Sequence, residues 1–380
     1  MARNIHQRLS NLSARRSGVD RLAAVYANDA SDLVRKSVLT EDYQKRADSD
    51  KPNTRYALGA MQEVGPDYTR ISLETARRVG RQLEEGLTRA GYSVKFRLQG
   101  SVPLNTHIRG VSDVDLLNLD TNFTSYYRMG PRALAGLYGT PTTRTSVEVL
   151  TSLRRESERI LRCAYPAATV DTSGAKAIHL SGGSLARPVD VVPAHWLDTI
   201  AYQSSAHEHD RGVTILNKSV PTTLDNLPFL HIKRVTERDT ATLGSLKKAI
   251  RLCKNVKSDA EEDGKTIALG SYEIAAILYH ADAAALRAGS LYELQILAEA
   301  QRYLDWLYHN KSEAQKLIVP DGSRQIFDSP DKLSGLLTLS VEIDELMKEV
   351  GLEQNALLRF STPSLQQSRD SVAKLYIPTA

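Results

Sequence analysis

Two aspartates one residue apart, Asp113 and Asp115, stand in the run Val111-Ser112-Asp113-Val114-Asp115-Leu116-Leu117-Asn118-Leu119. On a strand, residues i and i+2 point to the same face, so the two carboxylates project together. Like charges held side by side repel, and burying them unpaired is costly. A divalent cation resolves the conflict. Mg²⁺ takes hard oxygen ligands, commonly one or two carboxylates together with substrate phosphates. Two such ions, with Mn²⁺ able to substitute, would stabilise both the attacking and the leaving oxygen of an in-line phosphoryl displacement. A third carboxylate, Asp190, interrupts the apolar run Val189-Asp190-Val191-Val192-Pro193. Asp113, Asp115 and Asp190 are therefore the candidate catalytic and metal-binding residues. Gly100-Ser101 closes an alternating segment and offers backbone N–H groups and a hydroxyl to phosphate oxygens. A lone Gly-Ser or a lone Asp-x-Asp is common on strand edges and in loops. Their joint placement at three strands is what points to phosphoryl chemistry.

The elements that must hold these residues can be read from periodicity. Tyr68 to Ala90 carries Ile71, Leu73, Val79, Leu83 and Leu87 near helical spacing, with Gly91 as a C-cap. The period then changes. Tyr92, Val94, Phe96 and Leu98 alternate with polar residues, which predicts a half-buried strand ending at Gly100. Val114–Leu119 is a second strand, and Ser146–Cys163 a helix. Ala168–Asp171, Ala175–Leu180 and Pro188–Val192 read as short strands between Gly-rich turns. After Pro221 the pattern is helical, over 226–238, 243–259, 271–286, 291–307 and 336–350. Residues 18–47 read as broken helix, and 48–53 as a loop. An α/β half followed by a helical half predicts a two-lobed α+β protein with a cleft.

Composition bounds the answer. The 380 residues are 41% hydrophobic and 25% charged, ordinary for a globular chain. No run of about 18 apolar residues predicts a membrane span, and Met1–Arg16 has no apolar segment of the secretory type, so a cytoplasmic protein without a membrane partner is expected. Cys163 and Cys253 lack metal-ligand spacing and read as two buried thiols. The formal net charge of +4 is unevenly spread. Residues 1–99 carry 18 Lys+Arg against 12 Asp+Glu, and the remainder 31 against 33. The basic quarter reads first as a solvated helical face and second as a nucleic-acid surface.

The motifs Gly100-Ser101, Val111-Ser112-Asp113-Val114-Asp115-Leu116 and Val189-Asp190-Val191-Val192-Pro193-Ala194 resemble those of the polymerase-β-like nucleotidyltransferases. Within them the chain is most similar to the template-independent group: oligoadenylate synthases, the cyclic GMP-AMP synthase, and the bacterial CD-NTases of anti-phage CBASS systems. The spacing from Ser101 to Asp113 and the polar loop Thr106-His107-Ile108-Arg109-Gly110 fit that pattern. The helix around Leu246-Lys247-Lys248-Ala249-Ile250-Arg251-Leu252-Cys253-Lys254 resembles the one whose lysine reaches the donor triphosphate, which assigns Lys254. Alone, that lysine would read as solvated. Leu269-Gly270-Ser271-Tyr272 resembles the segment in which Ser271 contacts the triphosphate and Tyr272 stacks on the donor base. The sequence departs from many relatives at Val102-Pro103-Leu104-Asn105, which leaves Arg109 as the nearby cation, and it has no zinc-binding insertion, so no nucleic-acid activator is indicated. His231 reads as a surface helical histidine. The loop His207-Glu208-His209-Asp210 reads as solvated.

The resemblance implies a bilobal polymerase-β-like nucleotidyltransferase core, a mixed sheet with helices, and a C-terminal helical lobe. Its expected segments are 1–67 (helical), 68–224 (catalytic core), 225–360 (helical lobe) and 361–380 (polar tail). The implied reaction joins NTPs, ATP or GTP first among them, into a cyclic di- or trinucleotide messenger read by a downstream effector, with linear 2′–5′ or RNA-terminal synthesis as the alternative. The nucleotide contacts would be Gly100, Ser101, Lys254, Ser271 and Tyr272. The resemblance also implies a possible ubiquitin-like ligation machinery acting on Ala380.

Overall fold

The computed structural model describes residues 4–17, 41–139 and 142–378. The chain forms two compact units. One comprises residues 65–104 and 112–234. The other comprises residues 1–64, 105–111 and 235–380. The expected broken helix falls mostly on residues 18–40, and Ala380 on the last two positions; both lie outside the described residues.

The first unit is a mixed sheet backed by two helices. Its strands are β1 (Val94–Gln99), β2 (Val114–Tyr126), β3 (Thr169–Asp171), β4 (Ile178–Ser181), β5 (Val189–Asp198), β6 (Gly212–Asn217) and β7 (Thr222–Asn226). The main order is β1-β2-β5-β4-β3. β1 runs antiparallel to β2, and β2 runs parallel to β5. The far edge of β5 is shared: its first residues pair with β4 and its later ones with β6, which in turn pairs with β7. A parallel β2–β5 pair needs a crossover, and helix Ser146–Ala164 lies in that connection. Its start is fixed by a capping box in which Thr145 and Glu148 bond each other's backbone N–H.

Alternation along the central strands sorts the two faces. Val114, Leu116, Ile178, Leu180, Val189 and Val191 form one core with Ala76, Val79, Leu83 and Leu87 of helix Pro66–Arg89 and with Leu153, Ile160 and Leu161 of helix Ser146–Ala164. Each fully buried Leu or Val contributes roughly 1.5–3 kcal/mol of hydrophobic stabilisation. The two helices approach closely at Gly86, where a Cβ would stand 2.7 Å from an Ile160 methyl. On the opposite face, Leu117, Leu119, Val192, Ala194 and Trp196 form a second cluster. That face also carries the odd-numbered residues of β2 and the even-numbered ones of β5, including Asp115 and Asp190.

The second unit is helical. Helix Ser245–Glu262 buries Leu246, Ala249, Ile250, Leu252, Cys253 and Val256, and it packs against helices Pro52–Met61, Ser271–Tyr279, Leu294–His309 and Pro330–Gln354. Several of the unit's charged residues are buried too, and they meet opposite charges. Arg15 pairs with Asp259 at 2.7 Å, and Tyr56 hydrogen-bonds the same carboxylate. Arg8 pairs with the fully buried Glu342 at 2.7 Å, and Arg46 pairs with Glu293 at 2.6 Å. Much of the N-terminal basic excess is therefore spent inside this unit. The expected solvated face is corrected at Arg8 and Arg15, which are buried, because their partners come from helices distant in sequence.

Other differences have local causes. The expected helix 271–286 breaks into Ser271–Tyr279 and Ala283–Ala288, because Asp282 caps the second piece by accepting from the Ala285 N–H at 2.7 Å. Strands β6 and β7 and helix Pro52–Met61 were not expected. The segment read as a polar tail contains helix Leu365–Val372, which packs on helix Pro330–Gln354. Cys163 is exposed rather than buried, because it sits on the solvent side of its helix. Cys253 is buried, and burial pushes its thiol up to about 12. His231 is 5% exposed, not a surface residue, and lies one turn before the buried Val235. Among the described residues no helix is long and apolar enough to cross a membrane.

Candidate active site

The site is built where β1 ends and β2 and β5 begin. Register places Gln99 opposite Asp115, and Asp115 directly opposite Asp190. The chain leaves β1 through Gly100 at φ +76°, a conformation that L side chains rarely adopt. A Cβ there would stand 2.1 Å from Asp115 Oδ2. The glycine thus lets the backbone pass against the carboxylate, with the half-buried Ser101 next in line. Asp113 precedes β2 by one residue and, like Asp115 and Asp190, is partly exposed.

A residue that the sequence reading missed joins them. His179 on β4 is register-paired with Asp190. Its Nδ1 lies 2.8 Å from Asp190 Oδ1 and 3.9 Å from Asp113 Oδ2. Donor atoms of Asp113, His179 and Asp190 all lie within 4.8 Å of one another. Two carboxylates so close, each partly exposed, suit a divalent cation, since carboxylate oxygens are the ligands of hard cations such as Mg²⁺ and Mn²⁺, and the imidazole lies against them. The signal for His179 was present in the sequence: it is the single polar residue between Ile178 and Leu180, the same interruption that marked Asp190.

The other unit matches a family model described as the cGAS/DncV-like nucleotidyltransferase C-terminal helical domain over residues 233–338. A cyclic dinucleotide synthase named CdnE from Yersinia aleksiciae is 43% identical over 312 residues, covering 82% of this chain and 80% of its own. The chain belongs to the CD-NTase family. A c-di-GMP synthase from Lachnospiraceae bacterium (strain RUG226) is 30% identical over 356 residues, 88% of this chain and 98% of that one. The solved structure of a STING-associated CdnE c-di-GMP synthase from Capnocytophaga granulosa superposes with a TM-score of 0.68 at 27% identity, covering 90% of this chain and 97% of that one. This CD-NTase is accordingly a nucleotidyltransferase with the mixed-sheet and helical architecture of that family.

The helical unit of the CD-NTase carries the remaining expected contacts. Lys254 is 4% exposed, so the solvated reading of this lysine is corrected. Its ammonium donates to the Thr106 carbonyl at 2.8 Å. Arg251, one turn earlier, donates to the carbonyls of Met61 and Asn105 at 2.8 and 2.7 Å. Arg109 donates to the Arg16 carbonyl. Residues 105–111, which lie in sequence between Gly100-Ser101 and the aspartate pair, are thereby tied into the helical unit. Ser271 is exposed at the start of its helix. The Tyr272 hydroxyl donates to Asp321, and the Arg324 guanidinium lies 5.2 Å from the ring centre. Burial and the Asp321 bond hold that hydroxyl well above its ordinary pKa, so it stays a neutral donor. Glu208 of the polar loop is taken up by Arg97 at 2.7 Å.

Proposed function

We propose that this CD-NTase joins nucleoside triphosphates, without a template, into a cyclic dinucleotide. A ribose hydroxyl of one nucleotide attacks the α-phosphate of another. The new O–P bond forms as the bond to pyrophosphate breaks, and a second such step closes the ring. The observation that carries the reading is the meeting of Asp113, Asp115 and Asp190 at one end of β2 and β5, directly behind the glycine turn at Gly100. The 43% identity to a cyclic dinucleotide synthase favours a ring of two nucleotides over three.

Each residue then has a task. Asp113, Asp115 and Asp190 would hold divalent ions, Mg²⁺ or Mn²⁺, which when bound supply charge neutralisation to the phosphates. Gly100 and Ser101 offer an N–H and a hydroxyl to the triphosphate oxygens. Asp190 accepts the proton of the attacking hydroxyl. Lys254 and Ser271 contact the triphosphate, and Tyr272 stacks on the donor base. Positioning and electrostatics supply most of the rate, as in other phosphoryl transfers.

The product would serve as a messenger in anti-phage defence inside the cytoplasm, read by an effector. A relative described as STING-associated supports such a reader. Linear or RNA-terminal synthesis is the less supported reading, since Arg8, Arg15 and Arg46 of the basic quarter are engaged in ion pairs.

One assay tests the proposal. The protein is incubated with labelled ATP, GTP, CTP and UTP and Mg²⁺ or Mn²⁺, treated with phosphatase, and the products are resolved. Phosphatase-resistant cyclic dinucleotide is expected, and linear chains or no turnover would refute it.

A further inference from the structure

We propose that His179 is a positioning residue that fixes Asp190 for cation binding. The inference rests on the reading of Asp113 and Asp190 as cation ligands. Register places Asp115, Asp190, His179 and Asp171 in one row across β2, β5, β4 and β3. Directly opposite residues share a face, with Cβ atoms about 4.5–5.5 Å apart. His179 therefore stands beside Asp190 because of the sheet. Its neighbours Ile178 and Leu180 are fully buried on the other face. A one-residue slip would expose both and bury the histidine, so the pairing is firmly set.

The distances assign the role. Nδ1 is at hydrogen-bond length from Asp190 Oδ1, 2.8 Å, and beyond it from Asp113 Oδ2, 3.9 Å. A carboxylate that holds a cation is ionised and only accepts, so in the cation-bound site Nδ1 is the donor to Asp190 Oδ1. A nitrogen that donates this hydrogen bond has no lone pair left for a cation. The bond instead occupies one Asp190 oxygen and leaves the other for the ion. Partners of this kind orient metal ligands, and losing one typically costs about 10–100-fold in metal affinity or activity.

The test is Mn²⁺ binding, followed by electron paramagnetic resonance without nucleotide or turnover, on wild type, His179→Ala and His179→Asn. The asparagine amide nitrogen stands about where Nδ1 stands. The expected result is binding weakened roughly 10–100-fold in His179→Ala and largely restored in His179→Asn, with equal melting temperatures for the three. Equal Mn²⁺ affinity in wild type and His179→Ala would overturn the positioning role alone. A directly coordinated nitrogen in the pulsed spectrum of Mn²⁺-loaded wild type would overturn it too, and that measurement needs no variant to fold. Absence of Mn²⁺ binding by wild type would overturn the cation-site reading itself, and the role of His179 with it.

Discussion

The Oδ2 atom of Asp115 lies 2.1 Å from the point where a Cβ on residue 100 would stand, and residue 100 is a glycine at φ +76°. The turn after β1 and the carboxylate on β2 therefore occupy adjoining space that no other residue type permits. Gly100→Ala meets two costs. A left-handed conformation costs an L residue about 1–2 kcal/mol, and Asp115 must move. The expected outcome is a fall in melting temperature of several degrees together with a drop in nucleotide turnover of at least about 100-fold, since misplacement by 1 Å can cost that much. Turnover within a few-fold of wild type would show that Asp115 does not need its present position.

Removing a carboxylate should separate activity from stability. Asp113→Asn and Asp190→Asn each delete a negative charge from a crowded group, so neither should lower the melting temperature of the metal-free protein, and a small rise is expected from relieved repulsion. Turnover should fall to background. Addition of Mg²⁺ or Mn²⁺ should raise the melting temperature of wild type, by an amount equivalent to about 2.7 kcal/mol at 100 times the dissociation constant, and EDTA should reverse it. The same shift in Asp190→Asn would place the cation elsewhere.

Much of the catalytic unit was legible because its chemistry interrupts a simple pattern. Asp115 and Asp190 break apolar strands, and a charge in such a run needs a reason. Gly100 closes an alternating strand where the chain must turn. Other parts could not be read locally. β7, Thr-Thr-Leu-Asp-Asn over 222–226, is short and mostly exposed, so neither alternation nor apolar content marks it. His179 is one of two polar residues in a four-residue strand, and its importance comes from register with Asp190. The attachment of residues 105–111 to the helical unit runs through backbone carbonyls accepting from Arg251 and Lys254, some 146 to 148 residues away. Backbone acceptors leave no trace in residue type.

Lys254 combines a buried hydrogen bond with a proposed charge role, and the two can be told apart. Lys254→Gln keeps a donor for the Thr106 carbonyl and removes the positive charge. If the ammonium contacts the triphosphate, KM for NTP should rise about tenfold or more while the melting temperature stays within a few degrees, because a hydrogen bond to a charged group contributes roughly 1.5–3 kcal/mol. An unchanged KM with lowered stability would confine Lys254 to holding the loop. Lys254→Ala, which loses both, should show both effects.

The ion pairs of the helical unit set its behaviour in acid. Burial alone would raise the pKa of Glu293, but Lys248 at 2.7 Å and Arg46 at 2.6 Å outweigh it and hold the carboxyl below its ordinary value. A folded pKa below the unfolded one contributes stability that is complete above the unfolded value, about 4.3, and that disappears as pH falls through the folded value. Removing one partner of a buried pair costs about 3–5 kcal/mol. Glu293→Gln should therefore destabilise the protein by an amount of that order at pH 7. The gap to wild type should narrow below about pH 4, where the wild-type carboxylate is itself being protonated. Urea unfolding of both proteins from pH 3 to pH 7 measures this directly. A gap that stays constant over that range would mean that Glu293 acts through its shape and hydrogen bonds and not through its charge.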